Sequence, residues 1–217
     1  MPSRDGISSL SNSLLKYAYA NSNTWGYIPL GGLKRYPENE RWTSLLQQKL
    51  GSDYTVVEFG LCGCEASGTN KVMGFNADGR TLFPPVLFAS LPVDVIIIML
   101  GTNDTNRFND WKCGNTAAGL KIMIQTARTF CPNAKIVLAS PVLLDERIAQ
   151  DAKFSIDAVE NSRLCAKEVE SLAREENILF FDTNAFVHGL GADGCHFTKE
   201  NHAAFADGLF DFLNEHI

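Results

Sequence analysis

The sequence predicts an α/β protein, a parallel sheet of five strands covered by helices on both faces. Three observations carry that expectation. Apolar, strand-like runs recur at residues 14–20, 54–59, 93–100, 135–140 and 178–181. Between them lie helical patterns, the crossover segments that parallel neighbours need. The run at 93–100 is apolar apart from Asp94 and lacks the alternation of a half-exposed strand, so it reads as a central strand buried on both sides.

In chain order, the first strand is broken only by Lys16 and ends in Tyr19-Ala20-Asn21-Ser22-Asn23, followed by a loop containing Pro29 and Gly31-Gly32. Alone, Ser22 and Asn23 are turn formers. Residues 40–50 read as a helix, because Trp42, Leu45, Leu46 and Leu50 recur at near-helical spacing and Gly51 stands where a terminal glycine belongs. The β-branched and aromatic run at 54–59 is a strand that ends in Gly60-Leu61-Cys62-Gly63. Residues 66–80 are polar and glycine-rich, a loop. A helix is expected over 82–91, with Pro84 and Pro85 in its first turn, where a missing amide hydrogen costs little. The central strand ends in Gly101-Thr102-Asn103-Asp104. A helix follows at 116–130, with Ala117, Leu120, Ile124 and Ala127 on one face. After the strand at 135–140, residues 152–176 form a long amphipathic stretch with Phe154, Ala158, Leu164, Cys165, Val169 and Leu172 along one side. The last strand leads into a loop at 182–197 and a closing helix at about 198–213. No repeat, linker or low-complexity segment appears, so residues 1–217 read as a single domain.

Composition narrows the function. The 217 residues suffice for a substantial core. The net charge of −6, with no basic cluster, gives no reason to expect nucleic acid or an anionic membrane as partner. The longest apolar run is too short to span a bilayer and residues 1–6 carry no leader-like apolar core, so a cytoplasmic protein is expected. Six cysteines are too sparse for a disulfide scaffold, and Cys62-Gly63-Cys64 is neither a redox motif nor half of a zinc site. Free thiols and no metal are the expectation. A redox-sensitive disulfide among Cys62, Cys64 and Cys195, each beside a candidate site residue, stands as a hypothesis.

In a parallel sheet the C-terminal strand ends share one edge, where ligands gather. Those ends carry Ser22, Gly63, Asn103 and the segment Asp193-Gly194-Cys195-His196. These are the residue types of acyl transfer. Serine is a poor nucleophile until a base takes its proton. His196 is the candidate base, and Asp193 the group that orients it and stabilises its charged form. The backbone amides of Ser22 and Gly63, with the side-chain amide of Asn103, are candidate donors to a developing oxyanion.

The ordered segments NTWGYIP, RYPENERW, GTND and DGCH resemble the SGNH (GDSL) hydrolase family, and within it the arylesterase/acyltransferase branch. The likeness runs from about residue 14 to residue 213. It implies a three-layer α/β/α sandwich with a flavodoxin-like sheet. It also implies that Ser22 is the nucleophile, that Gly63 and Asn103 are oxyanion donors, and that His196 and Asp193 are base and orienting acid. The expected substrate is a small, acetyl-type ester, with water or another alcohol resolving an acyl-enzyme, no cofactor, and in some relatives a homo-oligomer. Trp25, Tyr27 and Phe154 are candidates for the pocket wall.

Two departures from the family pattern adjoin the site. Ala20-Asn21 replaces the usual Gly-Asp before the serine, and a methyl at Ala20 is costly if the backbone there needs positive φ or very close packing. Cys64-Glu65 replaces Arg-Thr after Gly63, and an inward-pointing Glu65 would place negative charge at the pocket. Two other readings therefore stand beside the esterase: a carbohydrate O-deacetylase, and a muted relative that binds an acylated ligand. Asp104 and Asp182 read as loop braces rather than reactants, and His202 as a residue of the last helix's first turn.

Overall fold

A computed structural model describes residues 14–68 and 77–217. The leader expectation for residues 1–6 and the middle of the loop expected at 66–80 fall outside these residues. The strands are β1 (Leu14–Ala20), β2 (Tyr54–Gly60), β3 (Val95–Met99), β4 (Lys135–Ala139) and β5 (Leu179–Phe181). The helices are α1 (Ser22–Trp25), α2 (Trp42–Leu50), α3 (Gly79–Ala89), α4 (Asn115–Phe130), α5 (Asp157–Glu175) and α6 (Lys199–His216). All strands pair in parallel, in the order β2-β1-β3-β4-β5.

The sheet lies between two apolar cores, the three-layer α/β/α arrangement. Side chains alternate along β3, so Val95, Ile97 and Met99 enter one core while Ile96 and Ile98 enter the other, and all five are buried. Trp42 and Leu46 of α2, with Phe205 and Leu209 of α6, close the first core over Ala18, Val95 and Val137. Phe83 and Leu87 of α3, Leu120 and Ile124 of α4, and Val169 and Leu172 of α5 close the second over Tyr17, Tyr19 and Ile98.

Three helices differ from the sequence reading by three residues or more at one end. Helix α3 starts earlier, because the Asp78 side chain accepts from the amide of Arg80 at 2.9 Å and caps it. Pro84 and Pro85 therefore fall inside the helix rather than in its first turn. Full burial of Phe83 and Leu87 offsets the amide bonds that those prolines forgo. Helix α5 does not begin near residue 152. Asp151 makes a turn instead, accepting from Lys153 N at 2.9 Å on its side chain and from Phe154 N at 3.0 Å on its backbone, so Phe154 precedes the helix. Helix α6 runs on to His216, and its start is fixed by a reciprocal pair in which Thr198 and Asn201 each cap the other's amide.

Sheet order fixes where a site can form. Strand β1 has β2 on one side and β3 on the other, so the direction of winding reverses between β1 and β3. A crevice opens at the C-terminal edge at such a switch point. Ser22 follows β1 and Asn103 follows β3.

Candidate active site

The chain leaves β1 through Asn21 and turns at once into α1. Asn21 is the N-cap, its side-chain oxygen accepting from Asn23 N at 3.0 Å, as an aspartate there would. Ala20 is a buried strand residue without positive φ, and its methyl belongs to the apolar core. The Ala20-Asn21 pair thus fits without the backbone cost that the sequence raised. Gly26 ends the helix at φ +87°, donating to Ser22 O at 2.9 Å. From the other side β2 presses close: a Cβ on Gly60 would stand 2.2 Å from Trp25 N.

The loop before α6 brings the other candidate site residues. One Asp193 carboxylate oxygen accepts from Cys195 N at 3.1 Å and His196 N at 3.0 Å, and the other lies 2.8 Å from His196 Nδ1. Burial pushes the Asp193 carboxyl up, but the imidazole and the two amides outweigh it and hold the acid well below its ordinary range. His196 Nε2 lies 2.9 Å from Ser22 Oγ. The Tyr27 ring lies against the imidazole, centroids 4.4 Å apart at 32°.

Asn23 joins the two halves. Buried beside Ser22, it accepts from Phe197 N at 2.9 Å and donates to Cys195 O at 3.4 Å. Trp42 adds a second tie, with its indole N–H donating to Thr24 Oγ1 at 3.1 Å and its backbone N–H to His202 Nδ1 at 3.3 Å. Burial lowers His202 to about 3, so this imidazole is a neutral acceptor inside the fold, in the first turn of α6.

Ser22, Gly63, Asn103, Asp193 and His196 line a cleft of about 90 Å³. It is small beside the roughly 300–1,000 Å³ of drug-sized pockets. Gly63 stands at φ +77° on its wall. Asn103 donates one side-chain hydrogen to Cys64 O at 3.1 Å, and an amide nitrogen carries a second. Of the three aromatics expected on the wall, Tyr27 and Phe154 line the cleft and Trp25 does not. The Trp25 indole lies under the Arg35 guanidinium, 5.3 Å from the ring centroid, and its carbonyl accepts from Arg35 Nε. Glu65 does not point inward either. It is buried behind the cleft, accepting from Asn106 and Asn109. Asp104 braces the same region by accepting from Ala66 N and Ser67 N, and Asp182 accepts from Ser140 Oγ and Asn184 N.

All six cysteines are free. Cys62 and Cys195 line the cleft, whereas Cys64 turns away, its sulfur 3.7 Å from Tyr19 Oη. Burial pushes the Cys62 thiol up to about 11 and Cys64 to about 12, so neither is a thiolate at neutral pH. Leu33, Ile148, Asp151 and Lys153 complete the cleft wall, and none of them was singled out from the sequence. Among the described residues no group of three or more His, Cys, Asp or Glu side chains is placed to hold a metal ion, and no helix is long and apolar enough to cross a membrane.

The family model of GDSL-like lipases and acylhydrolases matches residues 21–204, most of the chain. The chain belongs to that family, and it is an enzyme of the carboxylic ester hydrolase class. Solved structures with the same fold include a carbohydrate acetylesterase from Sinorhizobium meliloti, at 26% identity and TM-score 0.85 over 94% of this chain and 100% of that one. A second carbohydrate acetylesterase family member from the same organism is 29% identical, with TM-score 0.84 over 93% of this chain and 98% of that one. The native aryl esterase of M. smegmatis is 25% identical, with TM-score 0.85 over 94% and 100%. The curated proteins include no significant match.

Proposed function

We propose that the protein hydrolyses small, acetyl-type carboxylic esters through an acyl-enzyme on Ser22. The observation that carries this is the unbroken line from Asp193 through His196 to Ser22, with contacts of 2.8 and 2.9 Å. His196 Nε2 takes the hydroxyl proton as Ser22 Oγ attacks the carbonyl, then gives it to the departing alcohol. Asp193, kept ionised, holds Nδ1–H and stabilises the imidazolium. The amides of Ser22 and Gly63 and the second hydrogen of Asn103 Nδ2 are the donors assigned to the charge that develops on the carbonyl oxygen, all three residues lining the cleft. Water, or an acceptor alcohol, then enters with His196 as base and frees Ser22. The narrow cleft supports a short acyl group. Wild type is expected to cleave an activated acetyl ester and Ser22→Ala to lose that activity. Equal turnover by both proteins refutes the reading.

The narrower reading is O-deacetylation of a carbohydrate. Asp151 and Lys153, paired at 3.3 Å on the cleft wall, offer a hydroxylated leaving group an acceptor and a donor. The carbohydrate acetylesterases among the similar structures point the same way. A panel of sugar acetates and aryl acetates checks it: a preference for aryl acetates that Lys153→Ala leaves unchanged counts against the sugar. The capping role of Asn21 argues against a muted site. Rapid labelling of Ser22 by a fluorophosphonate is expected, and no labelling would favour the binding-only relative.

A further inference from the structure

Glu65 takes no part in the proton path, yet it is 1% exposed and sits between the loops that carry Gly63 and Asn103. Its Oε1 accepts from Asn109 Nδ2 at 2.6 Å and from Asn106 Nδ2 at 3.1 Å. The same two nitrogens donate to the backbone carbonyl of Asn103, at 3.2 and 2.8 Å. Asn103 in turn donates its side-chain amide to Cys64 O, next to Glu65 in the chain. A closed ring of hydrogen bonds results, and the Glu65 carboxyl is the acceptor that orients both asparagines. The Glu65 backbone is fixed separately, donating to Ala77 O at 3.0 Å and accepting from Gly79 N at 2.8 Å, so the side chain has a firm base.

We propose that Glu65 is a positioning residue for the oxyanion site, that its carboxyl holds Asn103 on the cleft through Asn106 and Asn109, and that a negative charge on it opposes the oxyanion. This rests on the reading of Asn103 as an oxyanion donor. The groups around Glu65 explain why its charge matters. Its Oε2 is buried with no hydrogen-bond partner among the described residues. Asp104 faces it from the turn after β3 and Asp78 from the cap of α3. Arg80 of α3 is engaged by Asp78 at 2.7 Å, and the Cys64 thiol, in contact with Tyr19 of β1, lies on the sheet side. Burial first, then Asp104 and Asp78, push the Glu65 carboxyl up to about 8, against the pull of the two asparagines. Above that pH a buried carboxylate stands next in the chain to Cys64, whose carbonyl holds the Asn103 amide, and in a poorly screened interior its charge opposes the oxyanion to which that amide donates.

The test is kcat and KM for a short acetyl ester from pH 5 to 9.5, for wild type, Glu65→Gln, Glu65→Ala and Asn103→Ala. Wild-type kcat is expected to fall as pH rises through about 8. Glu65→Gln keeps an acceptor for the two asparagines but cannot ionise, so it retains the wild-type kcat at pH 6.5 and loses that alkaline decline. Glu65→Ala lowers kcat roughly tenfold or more with KM little changed, short of the hundred- to thousand-fold typical of deleting an oxyanion donor outright. An alkaline decline in Glu65→Gln like that of wild type overturns the proposal, and so does a wild-type kcat in Glu65→Ala. Should Glu65→Ala fail to fold, the Gln profile decides alone. Asn103→Ala separates the two levels. If it leaves kcat intact, the oxyanion reading falls and this inference with it; if it lowers kcat while both Glu65 variants behave as wild type, only the inference falls.

Discussion

Asn23→Ala is expected to damage stability and rate together. The side chain bridges the Ser22 turn and the His196 loop through Phe197 N at 2.9 Å and Cys195 O at 3.4 Å. The first contact is a good hydrogen bond and the second a weak one. Alanine leaves the Phe197 amide unpaired in a region where Asn23 itself is 2% exposed. A buried donor stripped of its partner costs about 1–3 kcal/mol. At this chain length each kcal/mol lowers Tm by roughly 2–4 °C, so calorimetry should register a fall of several degrees. Loosening that bridge also frees the spacing between Ser22 Oγ and His196 Nε2, and a misplacement of about 1 Å can cost a hundredfold in rate. Ester hydrolysis should therefore lose about one to two orders of magnitude in kcat, well beyond the loss of folded protein. An Asn23→Ala enzyme with unchanged Tm and kcat would refute the bridging role.

Other perturbations follow from the same geometry. Gly60→Ala drives a methyl into the backbone of α1, 2.2 Å from Trp25 N, so it should lower both Tm and the rate of Ser22 labelling by a fluorophosphonate; normal labelling would show that the turn adapts. Tyr27→Phe keeps the ring on the imidazole and should retain activity, whereas Tyr27→Leu should lower kcat severalfold on every ester; a loss confined to KM, or to bulky substrates, would make Tyr27 a pocket wall only. Glu65 has a folded value of about 8 against an ordinary 4.5, so the folded state keeps a proton that the unfolded chain releases. Its contribution is full below pH 4.5, declines as pH rises to about 8 and is level beyond, with a slope of at most about 1.4 kcal/mol per pH unit. The Tm of Glu65→Gln relative to wild type should therefore climb between those limits, and parallel Tm profiles would show that Glu65 ionises normally in the fold.

The sheet was legible because strand signals are local. The unbroken apolar run around Val95–Met99 announced a doubly buried strand, and each strand end could then be searched for reactive types. Ser22, Gly63, Asn103, Asp193 and His196 were named from that logic, and the structure places them around one cleft. What escaped depended on direction or on distant partners. Trp25 shares a single helical turn with Ser22 but projects toward Arg35, a direction that sequence proximity does not reveal. Glu65 was placed near the pocket by its position two residues from Gly63, yet the chain turns it to the far side of the loop. Phe154 matched the helical face of α5 by spacing, while the Asp151 turn kept it outside the helix and on the cleft. Asn23 looked like a turn residue because its partners, Cys195 and Phe197, belong to a loop that only the tertiary fold brings near.

The contact between Ser22 and His196 joins positions 174 apart in the chain, with no covalent link between their loops. Such a contact has no local secondary structure to sustain it; it exists only while α6 and its preceding loop are docked on the sheet. On the proposed mechanism, turnover is thus a gauge of tertiary closure. Under mild denaturant, activity is expected to fade while circular dichroism still reports intact helices, as the His196 loop parts from a sheet that has not yet begun to open.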